Sequence, residues 1–253
     1  MTLSRIIFVL ALLPGLFVAV IALIETGRRI GRSRRHEGFG AVEGAVFGLL
    51  GLLIAFTFSS AAARFEIRRN LVVEEANDIG TAYLRLDLLP PAEQPKLRDA
   101  FRRYVDIRLS VYQHITDIKS AKLELARMAD LQMEIWNGAV AACPASTSPA
   151  PCMLLLPALN EMIDITTTRT VAMQAHQPVL VLITLALMML ACSLLAGIGM
   201  AGDAARSWVH VVCFAAVLTI AFYIVLDLEH PRLGLIRIDW MDQILRDLRS
   251  SMR

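Results

Sequence analysis

The sequence predicts an all-α membrane protein with four transmembrane helices and an extramembrane antiparallel helical bundle between the second and third. The chain of 253 residues is 56% hydrophobic, and its mean hydropathy is +0.57. A soluble protein of this length is more polar. The apolar residues are concentrated in four runs, and the stretches between them are as charged as an ordinary soluble protein. No strand pattern, internal repeat or nucleotide-binding loop is present, and a net charge of +2 gives no basic field for a nucleic-acid partner.

Each apolar run is long enough to cross a bilayer, whose hydrocarbon core of about 30 Å needs roughly 20 helical residues. The runs are Leu3–Ile24, Phe39–Ser60, Pro178–Met200 and Trp208–Leu226. The alternative for the first run is a cleaved signal peptide. Its uninterrupted stretch exceeds the roughly 7–15 residues of a signal core, and Ala-Val-Ile-Ala at 19–22 is a poor cleavage site, which favours a retained helix.

The basic residues predict the orientation of the chain. The loop at 26–37 holds five arginines and one acid, whereas the loop between the third and fourth runs has only Asp203 and Arg206. The positive-inside rule therefore places the first loop in the cytoplasm and the long middle segment on the other side. Three arginines directly after the second run weaken this bias without reversing it (Arg64, Arg68 and Arg69).

Two cysteines support the same orientation. Cys143 and Cys152 flank a short Pro/Ser loop, which is typical of a disulfide in an oxidising compartment. The alternative is a pair of free thiols. No second Cys or His pair lies nearby to complete a zinc site, so no metal is predicted. Cys192 and Cys213 lie in apolar runs and are predicted to be packing residues.

The chain therefore divides into four segments. Residues 1–60 hold the first two membrane helices with their basic loop, 61–177 form the extramembrane helical domain, 178–226 hold the last two membrane helices, and 227–253 form a polar tail. No Gly or Pro occurs between Leu52 and Ile79, which predicts that the second helix continues out of the membrane from about residue 40 to 88. A breaker-free stretch at 96–137 and a helix at about 153–177 complete the predicted bundle.

Small residues repeat along the second run. Gly40, Gly44 and Gly48 recur every four residues, and Gly51 follows one turn later. This spacing lets helices approach closely in lipid. It predicts either packing within the chain, against the first or fourth membrane helix, or a contact between subunits around a shared axis.

An apolar stripe on the same helix is a candidate pore lining. Glu43 shares a helical face with Phe47, Leu50, Ile54 and Phe58. An apolar constriction can gate a pore by dewetting, whereas the alternative for the stripe is a face in the core or against lipid. Glu43 lies about one turn inside the run, so it is either an interfacial carboxylate paired with a loop arginine or a pore-lining group.

Two sets of polar residues are candidates for a network beyond the membrane. Asn77, Thr81 and Arg85 fall on one helical face, which forms either a solvated ridge, a buried network or the wall of an aqueous vestibule. Asp227, Glu229 and Arg232 end the fourth run, where acids oppose the helix dipole and need partners. The candidate partners are Arg64, Arg68 and Arg85, and a structural ion-pair cluster is the favoured interpretation.

No pattern indicates a catalytic centre or a cofactor. The five histidines are scattered without metal-ligand spacing, and no hydrolase triad or phosphate-binding loop is present. An acid pair such as Glu74 and Glu75 would form a catalytic dyad only in a pocket that the sequence does not reveal. An enzyme is therefore the third and least favoured class.

Four stretches resemble the bacterial bestrophin-like family, a family long catalogued as a domain of unknown function. They are Glu75–Pro90, His176–Pro178, Leu194–Gly197 and Asp227–Asp239. The resemblance covers nearly the whole chain and implies kinship with bestrophins, which are pentameric chloride-conducting channels with four membrane helices per subunit. It implies an inner-membrane homo-oligomer in which the second helix lines the pore, with Phe47, Ile54 and Phe58 as neck candidates.

Two functional hypotheses follow. The first is an oligomeric channel for a small anion such as chloride, with the second helix at the axis. The second is a non-conducting membrane sensor or scaffold whose extramembrane helices bind a partner. A channel requires the second helix to face a symmetry axis, and a scaffold requires an exposed apolar patch on the 93–137 segment.

Overall fold

The computed structural model describes seven ranges: 3–34, 40–113, 118–145, 148–202, 208–230, 235–236 and 241–252. These ranges contain eight α-helices and no strand, which confirms the all-α prediction. The helices are α1 Leu3–Arg34, α2 Ala41–Arg85, α3 Gln94–Gln113, α4 Ile118–Ala142, α5 Ala150–Gln174, α6 Val179–Gly199, α7 Trp208–Glu229 and α8 Asp242–Ser251.

Within the described residues, four helical stretches have the length and composition to cross a membrane, as the sequence predicts. They are Ala11–Arg32, Ala41–Leu88, Ala150–Gly199 and Trp208–Glu229. Lipid leaves no water to bond free backbone groups, so apolar runs of this length cross it as helices. The apolar part of the third stretch is α6, which begins directly after Pro178, at a helix start where proline is tolerated.

The first of two compact units comprises residues 1–65 and 175–237 and contains the membrane helices. α1 packs along both α6 and α7. The α1–α6 approach is close because Gly27 and Gly197 carry no side chain: a methyl group at Gly197 would overlap the carbonyl oxygen of Ile24. The core of this unit consists of Val20, Ile24, Leu50, Leu185, Met189, Cys192, Val211, Ala215, Leu218 and Phe222.

The second unit comprises residues 66–174 and 238–253. The distal half of α2 buries Ala76, Ile79 and Ala82 against α3, α4 and α5 in one continuous core. At the end of α2 the chain forms a single 3-10 turn, Leu86–Leu88, before the prolines at 90 and 91. The start of α5 is joined to the end of α4, because Cys143 and Cys152 form a disulfide with their Cα atoms 5.8 Å apart.

The helix predicted over 96–137 is instead two helices. α3 ends at Gln113, α4 begins at Ile118, and these two helices pack on each other. One straight helix could not bury both of its apolar stripes against itself, and Ile-Thr-Asp at 115–117 are weak helix formers. Residues 114–117 lie outside the described ranges.

The C-terminal helix α8 was not predicted. It is strongly amphipathic, buries Leu245 in the core of the second unit, and packs Leu248 against Gly80 of α2. Arg249 of α8 forms an ion pair with Asp106 of α3, with Nε 2.7 Å from Oδ1. The tail predicted as polar therefore contains a helix that belongs to the second unit's core.

Candidate functional site

The membrane-spanning part of α2 is the least covered of the four spans. In its most apolar window 11% of the residues are buried, against 39% in α7. Large apolar side chains on this helix are open, and Phe56 is 65% exposed. The helix meets α7 through side chains such as Phe47, whose ring contacts that of Phe214 edge-on at 6.1 Å between centroids. The described part of the chain therefore leaves most of the membrane-spanning part of α2 uncovered.

The predicted pore stripe divides between covered and exposed positions. Leu50 is buried in the core of the first unit, and Phe47 and Ile54 are partly buried against it. Glu43 is half-buried. Phe58 differs from them, because its side chain is 45% exposed. Of the five residues in this stripe, Phe58 is the one on the open side of the helix.

The glycines of α2 lie on the open side as well. In the described chain, no neighbouring atom lies within 4 Å of a methyl group built at Gly44, Gly48 or Gly51, and Gly40 meets only the carboxylate of Glu43. Packing of these glycines against another helix of the same chain is therefore not observed. A contact between subunits stays a prediction.

The predicted polar residues fall into separate places. Asn77 is exposed, Thr81 is half-buried, and the Arg85 guanidinium donates to the carbonyl oxygen of Leu154 at 2.5 Å. None of these three side chains bonds Asp227 or Glu229 in the described chain. Of the helical face that Asn77, Thr81 and Arg85 share, only Arg85 bonds α5 in the described chain. Asn77 faces solvent, and Thr81 is partly covered.

A neighbouring acidic ridge faces α5 across an open depression of about 460 Å³. The depression is lined by Glu74 and Asp78 of α2 and by Glu161 and Asp164 of α5. Burial raises the pKa of Asp78, and repulsion from Glu74 and Glu161 raises it further. Among the described residues no group of three His, Cys, Asp or Glu side chains is arranged to hold a metal ion.

Glu229 is the centre of an ion-pair cluster at the end of α7. Its side chain is 1% exposed, and its Oε1 accepts from Nε of Arg64 at 2.9 Å. Its Oε2 accepts from the backbone N–H of Gln177 at 3.1 Å. Arg64 also donates to Ser60 and to the side-chain oxygen of Gln177. Of the three arginines predicted as partners, Arg64 takes this role, whereas Arg68 donates to the carbonyl oxygen of Ala172.

Asp227 has a structural role of its own. Its carboxylate accepts from the backbone N–H groups of Leu235 and Ile236, at 2.9 and 2.7 Å, and from the hydroxyl of Tyr223 at 3.0 Å. It therefore fixes the chain that follows α7. Arg232, predicted as part of the same network, lies outside the described residues.

Comparison with known proteins identifies the family. The profile of the Bestrophin-like domain matches residues 11–240. The chain belongs to the bestrophin-like family. The resemblance that the sequence suggests is thereby confirmed. No curated protein matches the chain.

Solved structures share the fold of this bestrophin-like chain. A crystal structure of a variant of a bacterial bestrophin homologue from Klebsiella pneumoniae is 14% identical, with a TM-score of 0.72 and 97% of each chain covered. Another variant of that homologue is 17% identical, with a TM-score of 0.69 over 97% of this chain and 99% of the other. A structure described as a membrane protein is 12% identical, with a TM-score of 0.70 over 93% and 97%. At these identities the likeness shows the fold alone.

Two features of this bestrophin-like chain escaped the sequence analysis. The first is a stacked pair of imidazole rings, His176 and His230, with centroids 5.4 Å apart and planes at 16°. The residues are 54 positions apart in the chain (176 to 230), and neither lies in a metal-binding motif. No local pattern could have paired them.

The second feature is a buried ion cluster in the second unit. The Glu75 carboxylate, which is fully buried, bonds the guanidinium groups of Arg108 and Arg169. A signal for it exists, because each residue interrupts an apolar helical stripe: Glu75 lies between Val72 and Ile79. Close by, Gln132 contacts Tyr104 and Thr166, and burial raises the pKa of Tyr104.

Proposed function

We propose that the chain is one subunit of an oligomeric anion channel in the bacterial inner membrane, with α2 beside the symmetry axis. The observation that carries this proposal is the open face of α2, formed by glycines and phenylalanine, which the described part of its own chain leaves uncovered. Family and fold supply the class of function, since bestrophins are anion channels, but fold alone does not fix function. Copies of α2 around an axis would cover this face.

One ridge of the open face suits a pore lining. Gly44, Gly51 and Phe58 are seven residues apart, so they lie within about 40° of one another around the helix. Phe58 is the one large side chain among these three positions, and we place it at the narrowest point of the pathway. Phe56, equally aromatic and exposed, points about 160° away, toward lipid or a neighbouring subunit.

The matched phenylalanines give a direct test of the pathway. We expect Phe58→Ala to raise chloride flux into liposomes about tenfold, equivalent to about 1.4 kcal/mol off the barrier. The physical reason is that removing an apolar ring weakens dewetting at the constriction. Phe56→Ala is the control, with the same chemical change two residues away, and we expect its flux to match wild type.

The opposite result would contradict the proposed position of the pathway. If flux rises with Phe56→Ala and not with Phe58→Ala, the pathway lies on the other side of α2. Phe47→Ala and Ile54→Ala report on packing, because both side chains lie against the subunit's own core. We expect them to lower the thermal stability of the protein instead of opening the pathway.

A partner-binding scaffold is the second candidate function. Met133 and Val140 of α4 are 55% and 44% exposed and lie one heptad apart on the same face. Exposed apolar side chains of an extramembrane helix suit contact with another protein. The absence of flux from folded, oriented wild-type and Phe58→Ala protein, in any salt or voltage, would favour this function.

The oligomer and its ligand follow from the same proposal. We propose a homo-oligomer, a pentamer by resemblance, embedded in the lipid bilayer and conducting chloride or another small anion without a cofactor. The mass of the detergent-solubilised complex, measured by native mass spectrometry, tests the number of subunits. A monomer that still conducts would contradict the position of α2 at a symmetry axis.

We place the extramembrane unit on the extracytoplasmic side. The disulfide supports this orientation, because such bonds persist in oxidising compartments, and the arginine-rich loop at 26–37 favours the cytoplasm. We expect a membrane-impermeant maleimide to label Cys143 and Cys152 on spheroplasts only after reduction. A Cys143→Ser/Cys152→Ser variant is the control for labelling of Cys192 and Cys213. Labelling on intact inverted vesicles, and not on spheroplasts, would reverse the orientation.

A further inference from the structure

The stacked rings of His176 and His230 form a contact between the start of α6 and the end of α7. His176 belongs to the connection between α5 and α6, and its side chain is 46% exposed. His230 follows the last turn of α7. Histidine is the side chain that ordinarily changes its charge between about pH 5 and 8. Solution protons therefore reach a contact that joins the start of α6 to the end of α7.

Hydrogen bonds define which ring atom takes the added proton. Nδ1 of His230 lies 3.1 Å from the carbonyl oxygen of Leu226, and a carbonyl only accepts, so this nitrogen carries the hydrogen. Nδ1 of His176 lies 3.5 Å from Oε2 of Glu229, which as a carboxylate also accepts. In His230, Nε2 is then the atom that binds a proton on acidification.

Two added protons would bring like charges together at the stack. The described charged groups that meet here are Arg64 from α2 and Glu229 from α7, whose charges cancel. Asp227, one turn earlier, is committed to backbone N–H groups and to Tyr223. One positive charge at the stack lies beside the paired Arg64 and Glu229. A second proton on His230 sets two cations face to face, 5.4 Å apart.

We propose that His176 and His230 form a proton-sensitive contact that is closed while at most one ring is charged and opens when both are charged. Opening separates the two rings, while Glu229 keeps its bonds to Arg64 and to the backbone N–H of Gln177. For the proposed channel this makes acidity a regulator of flux, and only that last step rests on the proposed function.

Thermal unfolding of the purified full chain tests the contact without requiring conduction. We expect the melting temperature of wild type to fall between about pH 7.5 and 5.5, the range over which histidine titrates. His230→Gln and His176→Phe should lose most of this fall. His176→Phe keeps a ring in the stack but cannot take a proton, so it separates loss of charge from loss of packing. His210→Gln, near the start of α7, is the control and should keep the wild-type fall.

Flux in liposomes then tests the regulatory step. The ratio of open to closed contact changes by at most about tenfold per pH unit for each proton bound. We expect wild-type flux to change several-fold within that limit, and the flux of His176→Phe to be insensitive to the same change. If both His176→Phe and His230→Gln keep the wild-type pH dependence of melting, the proposal is wrong. If melting behaves as expected but no variant conducts, the contact stands and the channel function fails.

Discussion

Glu75→Gln is expected to lower the free energy of unfolding of the extramembrane unit by about 3–5 kcal/mol, because it leaves two buried guanidinium groups without their shared carboxylate. Arg108 and Arg169 are 4% exposed, and both bond this one side chain. Glutamine has the same shape, so the loss measures charge and hydrogen bonding instead of volume. The melting temperature should fall by about 6–20 °C, given about 2–4 °C per kcal/mol for a chain of this size.

A surface pair on the same helix is the control for this prediction. Glu66 and Arg69 form an ion pair at 3.2 Å, and their side chains are 48% and 42% exposed. Glu66→Gln should change stability by no more than about 1 kcal/mol, as for other exposed pairs. Replacing the buried set together, as Glu75→Leu with Arg108→Met and Arg169→Met, should recover most of the loss. Equal effects of Glu75→Gln and Glu66→Gln would contradict the buried cluster.

The membrane helices were predictable because lipid restricts what an apolar run can do. A segment such as Pro178–Met200 has no charge and cannot leave its backbone unpaired in hydrocarbon, so a helix is the one solution. The length of α2 followed from an equally local rule, the absence of Gly and Pro between Leu52 and Ile79. The fold class therefore depended on properties that each segment carries by itself.

The candidate site was less predictable because it depends on which side of a helix meets its own chain. Periodicity groups Phe47, Ile54 and Phe58 on one face, yet two of them touch the core and the third is open. The side that a helix turns inward is decided by partners far away in sequence, here Phe214 of α7. The histidine contact and the Arg64–Glu229 pair are products of the same long-range packing.

Glycine spacing also fails to indicate which helices of the chain approach closely. The regular spacing of Gly44 and Gly48 drew attention to α2, whereas the close approach in this chain is made by Gly27 of α1 and Gly197 of α6. Gly27 has Gly31 four residues later in α1, whereas Gly197 has no glycine at that spacing in α6. A small residue becomes a packing residue only when another helix crosses over it, and the sequence of one helix does not contain that information.

Gly197→Ala is therefore expected to cost at least about 3 kcal/mol, the upper end of the usual overpacking penalty. The added methyl group would overlap the carbonyl and Cα of Ile24, which are backbone atoms and cannot rotate away. α1 and α6 would have to separate along a contact that includes Leu194 and Ile198. We expect less folded protein in detergent extracts and a lower melting temperature, measured on the solubilised chain.

Gly48→Ala is the matched comparison, since it adds the same atom where no described neighbour lies within 4 Å. The subunit should fold as well as wild type, and alanine should favour the helix by about 1 kcal/mol. If copies of α2 meet through this face, the cost of Gly48→Ala appears in assembly: native mass spectrometry should show fewer complete oligomers from subunits of unchanged stability. Equal loss of subunit stability in the two variants would contradict the α1–α6 contact, and unchanged assembly would remove Gly48 from the subunit interface.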